Sequence, residues 1–133
     1  MRMVRVIAML ALAAMAFAAF TGSASAAQRP GVELQTALHG SAMFPNADGK
    51  ARFRDRGGEQ ELEVEVEDAH ALAGTTMRVF VNGKRVGNIR LNRFGNGQLN
   101  LNSDQGEAVP AVKAGTTVRV RTAAGALVVS GSF

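Results

Sequence analysis

The residues best suited to chemistry in this chain are few. His39 and His70 are the only two histidines, and with Met43, Asp48 and Asp68 they could supply a copper or zinc site if the loop after the first strand meets the loop after Asp68. A site of that kind needs three or more convergent ligands, and no pair here has the His-x-His spacing that brings two imidazoles to one ion. Asn46, Asp48 and Asp68 carry oxygen ligands for calcium, but the D-x-[DN]-x-[DN]-G loop is absent and their positions suit turn formation. Hydrolysis would need a nucleophile beside a base that is itself oriented. There is no cysteine, and Ser41, Ser103, Ser130 and Ser132 fall in turns or strand ends. Glu61, Glu63, Glu65 and Glu67 are paired carboxylates only in the sense of alternating along one outer face, where matching to basic partners is expected to keep their proton affinity ordinary and unsuited to acid catalysis. These residues favour a non-enzymatic protein without a cofactor, with metal binding through His39, Met43 and His70 as the alternative.

Charge is more informative than any single motif. Residues 27–77 hold 5 basic and 9 acidic side chains, whereas residues 78–133 hold 8 basic and 2 acidic ones. Strand alternation points Arg78, Arg119 and Arg121 outward, and it places Arg90, with Lys84, Arg85 and Arg93, on or near a neighbouring hairpin. The expected use of Arg78, Arg90, Arg119 and Arg121 is a basic face for an anionic envelope polymer or another exported protein. The competing expectation is a solvated face neutralised by the acidic part of the same molecule. Nucleic acid is disfavoured as a partner, because single strands are held by stacking aromatics. The chain has no Trp or Tyr, and Phe44, Phe53, Phe80, Phe94 and Phe133 are its only aromatics after residue 26.

The elements that must carry these residues read as strands. From Glu61 to Glu67 glutamate alternates with Leu62, Val64 and Val66, the period of a half-buried strand. A two-residue turn at Gly57-Gly58 folds this run onto Lys50 to Arg56 and pairs Arg56 with Glu59, Arg54 with Glu61, Arg52 with Glu63 and Lys50 with Glu65. The same register sets Phe53 opposite Leu62 and Ala51 opposite Val64, so one face is a ladder of opposite charges and the other is core. Further strands are expected over Val32 to His39, Thr75 to Val81, Lys84 to Asn92, Gln98 to Asn102, Thr116 to Thr122 and the C-terminal stretch ending at Phe133. Asn82-Gly83 turns the second hairpin, and bringing Ile89 and Leu91 onto the Met77 face requires a bulge near Val86-Gly87. In the last hairpin a turn at Ala124-Gly125 pairs Val120 with Val129 and Val118 with Gly131, leaving Leu127, Val129 and Phe133 inward. Ala73-Gly74-Thr75-Thr76-Met77-Arg78-Val79 recurs as Ala114-Gly115-Thr116-Thr117-Val118-Arg119-Val120, two equivalent strands each approached through a glycine turn.

About seven or eight short strands at this spacing, with no helical period, predict one all-β domain over 27–133, an antiparallel Greek-key or immunoglobulin-like sandwich with a small barrel as second choice. Residues 1–26 read as a secretory signal peptide, with Arg2 and Arg5 as the basic region, Val6 to Phe20 as the apolar run and Ala24-Ser25-Ala26 as the cleavage site. Cleavage lowers the net charge of +4 by the two arginines and leaves no membrane span, since the apolar run falls short of the roughly 20 residues one requires. A terminal Phe133 is shared with outer-membrane barrels, but the outward Arg, Glu, Asn and Gln positions supply no apolar band.

Several short motifs follow one another: Val79-x-Val81-Asn82-Gly83, Val86-Gly87, Gly95-x-Gly97-x-Leu99-x-Leu101, Val109-Pro110-x-Val112-x-Ala114-Gly115 and Ser130-Gly131-x-Phe133. In that order they resemble a group of bacterial exported β-domains. Leu38 to Pro45 with Gly49 to Phe53 is similar to the start of CHRD-type domains. Where the CHRD pattern shows His-x-His, this chain has Asp68-Ala69-His70-Ala71. The resemblance implies a sandwich and export, and it implies no activity.

Overall fold

The computed structural model describes residues 31–133, so the expected signal peptide at 1–26 lies outside the described residues. Eight strands follow in order: β1 Val32–Gly40, β2 Asp48–Arg56, β3 Glu59–Glu67, β4 Thr76–Val81, β5 Lys84–Arg90, β6 Gly97–Asn102, β7 Thr117–Thr122 and β8 Leu127–Ser132. The only helical turns among the described residues are short 3₁₀ segments at His70–Leu72 and Ser103–Gln105, and no helix there is long and apolar enough to cross a membrane.

All eight strands belong to one antiparallel sheet of order β5-β4-β7-β8-β1-β2-β3-β6 that curls almost into a barrel. This differs from the two separate sheets of an immunoglobulin-like sandwich. The junction that joins the halves is β1 with β8, where His39 pairs with Ser130 and Gly40 with Val129. Ser41 extends it, its backbone N–H bonding the Val128 carbonyl at 2.9 Å and its hydroxyl the Leu127 carbonyl at 2.7 Å. A sandwich and a barrel both bury one face of every strand, so alternation alone does not separate them.

The two edge strands, β5 and β6, lie side by side without forming a ladder. A Cβ on Gly87 would stand 2.7 Å from Leu99 Cδ2, and one on Gly97 would stand 2.5 Å from the Arg90 carbonyl oxygen. Glycine at these two places is what allows the edges to approach, since any side chain there would meet the opposite strand. Inward rows fill the interior. Phe53, Leu62 and Leu101 share one cross-strand row with Leu34, and Val79, Val120 and Val129 form another with Gly87. The central valines of both halves have no exposed surface.

The charge-ladder hairpin takes the register its sequence predicts, from Asp48 opposite Glu67 to Arg56 opposite Glu59. Gly57 and Gly58 turn it with φ of 61° and 100°, the left-handed region that a two-residue hairpin turn demands at both positions. β5 carries the expected irregularity: Val79 pairs with Gly87 and Phe80 with Arg85, leaving Val86 as the extra residue. The last hairpin keeps Val120 opposite Val129 and Val118 opposite Gly131, but its register slips so that Arg121 faces Leu127. Val128 is consequently buried beside Val129, and Leu127 is half-buried instead of fully inward. A bulge puts two consecutive residues of one strand against one of its partner, which strict alternation cannot register.

Candidate functional site

The outward side of the sheet has two halves of different character. Across β1, β2, β3 and β6 the rows are Glu33, Arg54, Glu61, Asn102 and Gln35, Arg52, Glu63, Asn100. Lys50 and Arg52 reach Glu65 and Glu63 at 3.3 Å each, and Arg54 is paired with Glu61. The Glu61 carboxylate, as a hydrogen-bond partner and as a charge, raises the proton affinity of Arg54 further. At the other end of this ladder Glu67 has neighbouring carboxylates, and Glu65, partial burial and Asp48 push its pKa above the usual 4.5.

Across β5, β4, β7 and β8 no such matching exists. Arg78 stands directly opposite Arg121 on one side and Asn88 on the other. Phe80 stands opposite Arg119 and Arg85, and Arg119 opposite Ser130. Arg90 pairs with Thr76 at the end of the same face. The predicted face residues Arg78, Arg90, Arg119 and Arg121 therefore come together on one side, joined by Arg85. Among the described residues none of these five arginines has an ion-pair partner; the acidic ladder serves Lys50, Arg52 and Arg54 instead.

Local hydrogen bonds hold part of this face in place. Arg121 Nη1 donates to the Gly125 carbonyl at 3.1 Å, and Arg85 Nη2 donates to Asn88 Oδ1 at 2.7 Å. Alternation of Thr76, Arg78 and Phe80 already set Phe80 beside the arginines. Asn88 turns outward because Val86 bulges, the irregularity that an inward Ile89 requires.

The metal candidates are divided. The antiparallel order puts the connections after β1, β3, β5 and β7 at one end of the sheet, and there Met43, Asp68 and His70 line a cavity of about 190 Å³ with Phe44 and Ala69. His70 Nε2 is 3.8 Å from Asp68 Oδ1. His39 does not line this cavity; it sits on the outward face of β1 opposite Asp48 and Ser130. Among the described residues no group of three or more His, Cys, Asp or Glu side chains is placed to hold a metal ion. Nearby, Phe94 is 55% exposed with the Arg93 guanidinium 4.8 Å above its ring, and Met43 is 69% exposed.

No protein-family model matches the chain, and no curated protein and no solved structure matches it.

Proposed function

We propose that this chain is an exported, non-enzymatic β-domain that binds an anionic polymer of the cell envelope through the outward face of β4, β5 and β7. The observation that carries this reading is the contrast between the two halves of one sheet. On the outward face of β2, Lys50, Arg52 and Arg54 each meet a β3 carboxylate, yet Arg78, Arg85, Arg90, Arg119 and Arg121 share a face without one. Like charges directly opposite each other destabilise a sheet, so leaving Arg78 against Arg121 favours a partner that brings the missing negative charge. Arginine at all five positions suits oxyanion recognition better than lysine would, because its planar fork pairs two N–H groups with two oxygens.

The signal-like segment and the resemblance to exported CHRD-type domains support the location. With β5 and β6 taken as neighbours, β4, β5 and β6 run side by side and β7 returns beside β4, a Greek-key order. A second reading, copper or zinc binding, rests on Met43, Asp68 and His70 sharing one cavity; His39 would have to be replaced by another donor. Retention of untagged protein on an immobilised polyanion in low salt tests the first reading. Stoichiometric copper or zinc by elemental analysis would favour the second.

A further inference from the structure

The geometry points to a discrete oxyanion site within that face: we propose that Arg78, Arg121 and Asn88 form a cradle for one tetrahedral phosphate or sulfate group of the polymer. This rests on the polyanion reading above and adds the chemical class of the bound group.

Asn88, Arg78 and Arg121 occupy one outward row across β5, β4 and β7. Neighbouring strands lie about 4.8 Å apart, so the three side chains rise from adjacent points and can reach one small group. The row offers donors almost alone. The Asn88 side-chain oxygen is taken by Arg85 Nη2 at 2.7 Å, which leaves its NH₂ group, a donor, to face a ligand. Arg121 is anchored through one Nη1 bond to the Gly125 carbonyl at 3.1 Å, so part of its rotamer freedom is already spent before a ligand arrives. Arg78 is exposed, and among the described residues its guanidinium makes no hydrogen bond or ion pair. The adjoining row through Phe80, Arg119 and Ser130 reaches His39 before its first carboxylate, Asp48.

The number of acceptor oxygens selects the ligand. A carboxylate has two oxygens and satisfies one guanidinium fork. Two forks on adjacent strands with an amide beside them offer more donors than one carboxylate accepts, and a tetrahedral phosphate or sulfate group, with terminal and bridging oxygens on one centre, takes more of them. Half-buried Phe80, between Arg85 and Arg119, gives the next row an apolar centre for the uncharged part of a repeat.

The test compares wild type with Arg78→Lys, which keeps the charge and removes the fork. The probes are inorganic polyphosphate, polygalacturonate and single-stranded DNA at equal charge in low salt. Arg78→Lys should weaken polyphosphate binding about tenfold and polygalacturonate binding less than twofold. Free inorganic phosphate, but not acetate at equal ionic strength, should shift the NMR side-chain N–H signals of Arg78 and Arg121 in the wild type. An equal loss for both polymers would overturn the cradle and leave a diffuse basic face. Tighter binding of DNA than of polyphosphate would overturn the assigned ligand, and failure of the wild type to bind any polymer would overturn the polyanion reading together with the cradle.

Discussion

Val79 and Val120 face each other across β4 and β7, and their separation of 41 positions equals the offset between the two AGTT segments. The repeat is therefore paired antiparallel with itself, and Val79 and Val120 mark a local two-fold axis. Both copies obey it. Gly74 and Gly115 have φ of 77° and 91°, the backbone N–H groups of Thr75 and Thr116 bond the carbonyls of Leu72 and Lys113 at 3.0 Å each, and the register slips after Val79 in one hairpin and after Val120 in the other. The axis relates Arg78 to Arg119 and places the three arginines and Phe80 in a square on the outward side.

Since both valines are fully buried and in contact range across the strands, truncation at either should open a void at the axis. Val79→Ala and Val120→Ala should each destabilise by about 2–4 kcal/mol. Their combination should depart from additivity by about 0.5 kcal/mol or more. Urea unfolding of the two single variants and the double variant measures this, and strict additivity would show that the pair does not share one void.

The ladder makes a separate prediction. Arg52→Glu sets a carboxylate against Glu63, and adding Glu63→Arg restores an opposite pair in reversed order, so the double variant should recover about 0.2–1 kcal/mol of the loss. Arg54→Glu should be rescued less well by Glu61→Arg, because Glu33 on β1 also faces position 54. Equal rescue at the two positions would show that the β1 carboxylate plays no part.

How far these features were legible in the sequence follows from which interactions are local. The β2–β3 register could be read because four charge pairs and two glycines agree on one turn, and the bulge at Val86 could be read because Ile89 and Leu91 must share a face with Met77. Burial of Val128 could not, because its apolar neighbours on both sides fit either register until the slip at Arg121 is known. Strand order across the sheet was also hidden. That β7 lies against β4, bringing Arg121 opposite Arg78, depends on pairings between distant segments that leave no periodic mark.

The seam between β5 and β6 should discriminate sharply between two glycines. Gly97→Ala forces a methyl onto the Arg90 backbone carbonyl, whereas Gly87→Ala meets only the end of the Leu99 side chain. The first should destabilise by about 1–3 kcal/mol, as overpacking does against an atom that cannot move. The second should cost less. Thermal unfolding of both variants decides it, and a Gly87→Ala effect equal to or larger than that of Gly97→Ala would contradict the close approach at Arg90.

Glu67 provides a pH-dependent prediction. Its carboxyl, beside Glu65 and opposite Asp48, titrates above 4.5 in the folded state. A raised carboxyl pKa favours folding while the group is protonated, an advantage complete below about pH 4.5 and lost as the pH rises through the folded value. Glu67→Gln removes the repulsion, so the variant should melt higher than wild type at neutral pH, with the difference vanishing below about pH 4.5. A constant difference across that range would mean that the neighbouring carboxylates do not act on Glu67.

The most direct measurement is polyanion affinity as a function of salt, for wild type and for Arg119→Glu with Arg121→Glu. Exposed contacts are screened within about 8 Å at physiological ionic strength, so wild-type binding should be strongest in low salt and fall steeply as salt is added. The double variant should lose most of this affinity without a fall in melting temperature, because both side chains stand outside the core on β7 and Glu at 121 would replace a like-charge contact with Arg78 by an opposite pair. No measurable affinity of the wild type for any polyanion in low salt, or a variant that loses stability without losing binding, would contradict a polyanion-binding face on β4, β5 and β7.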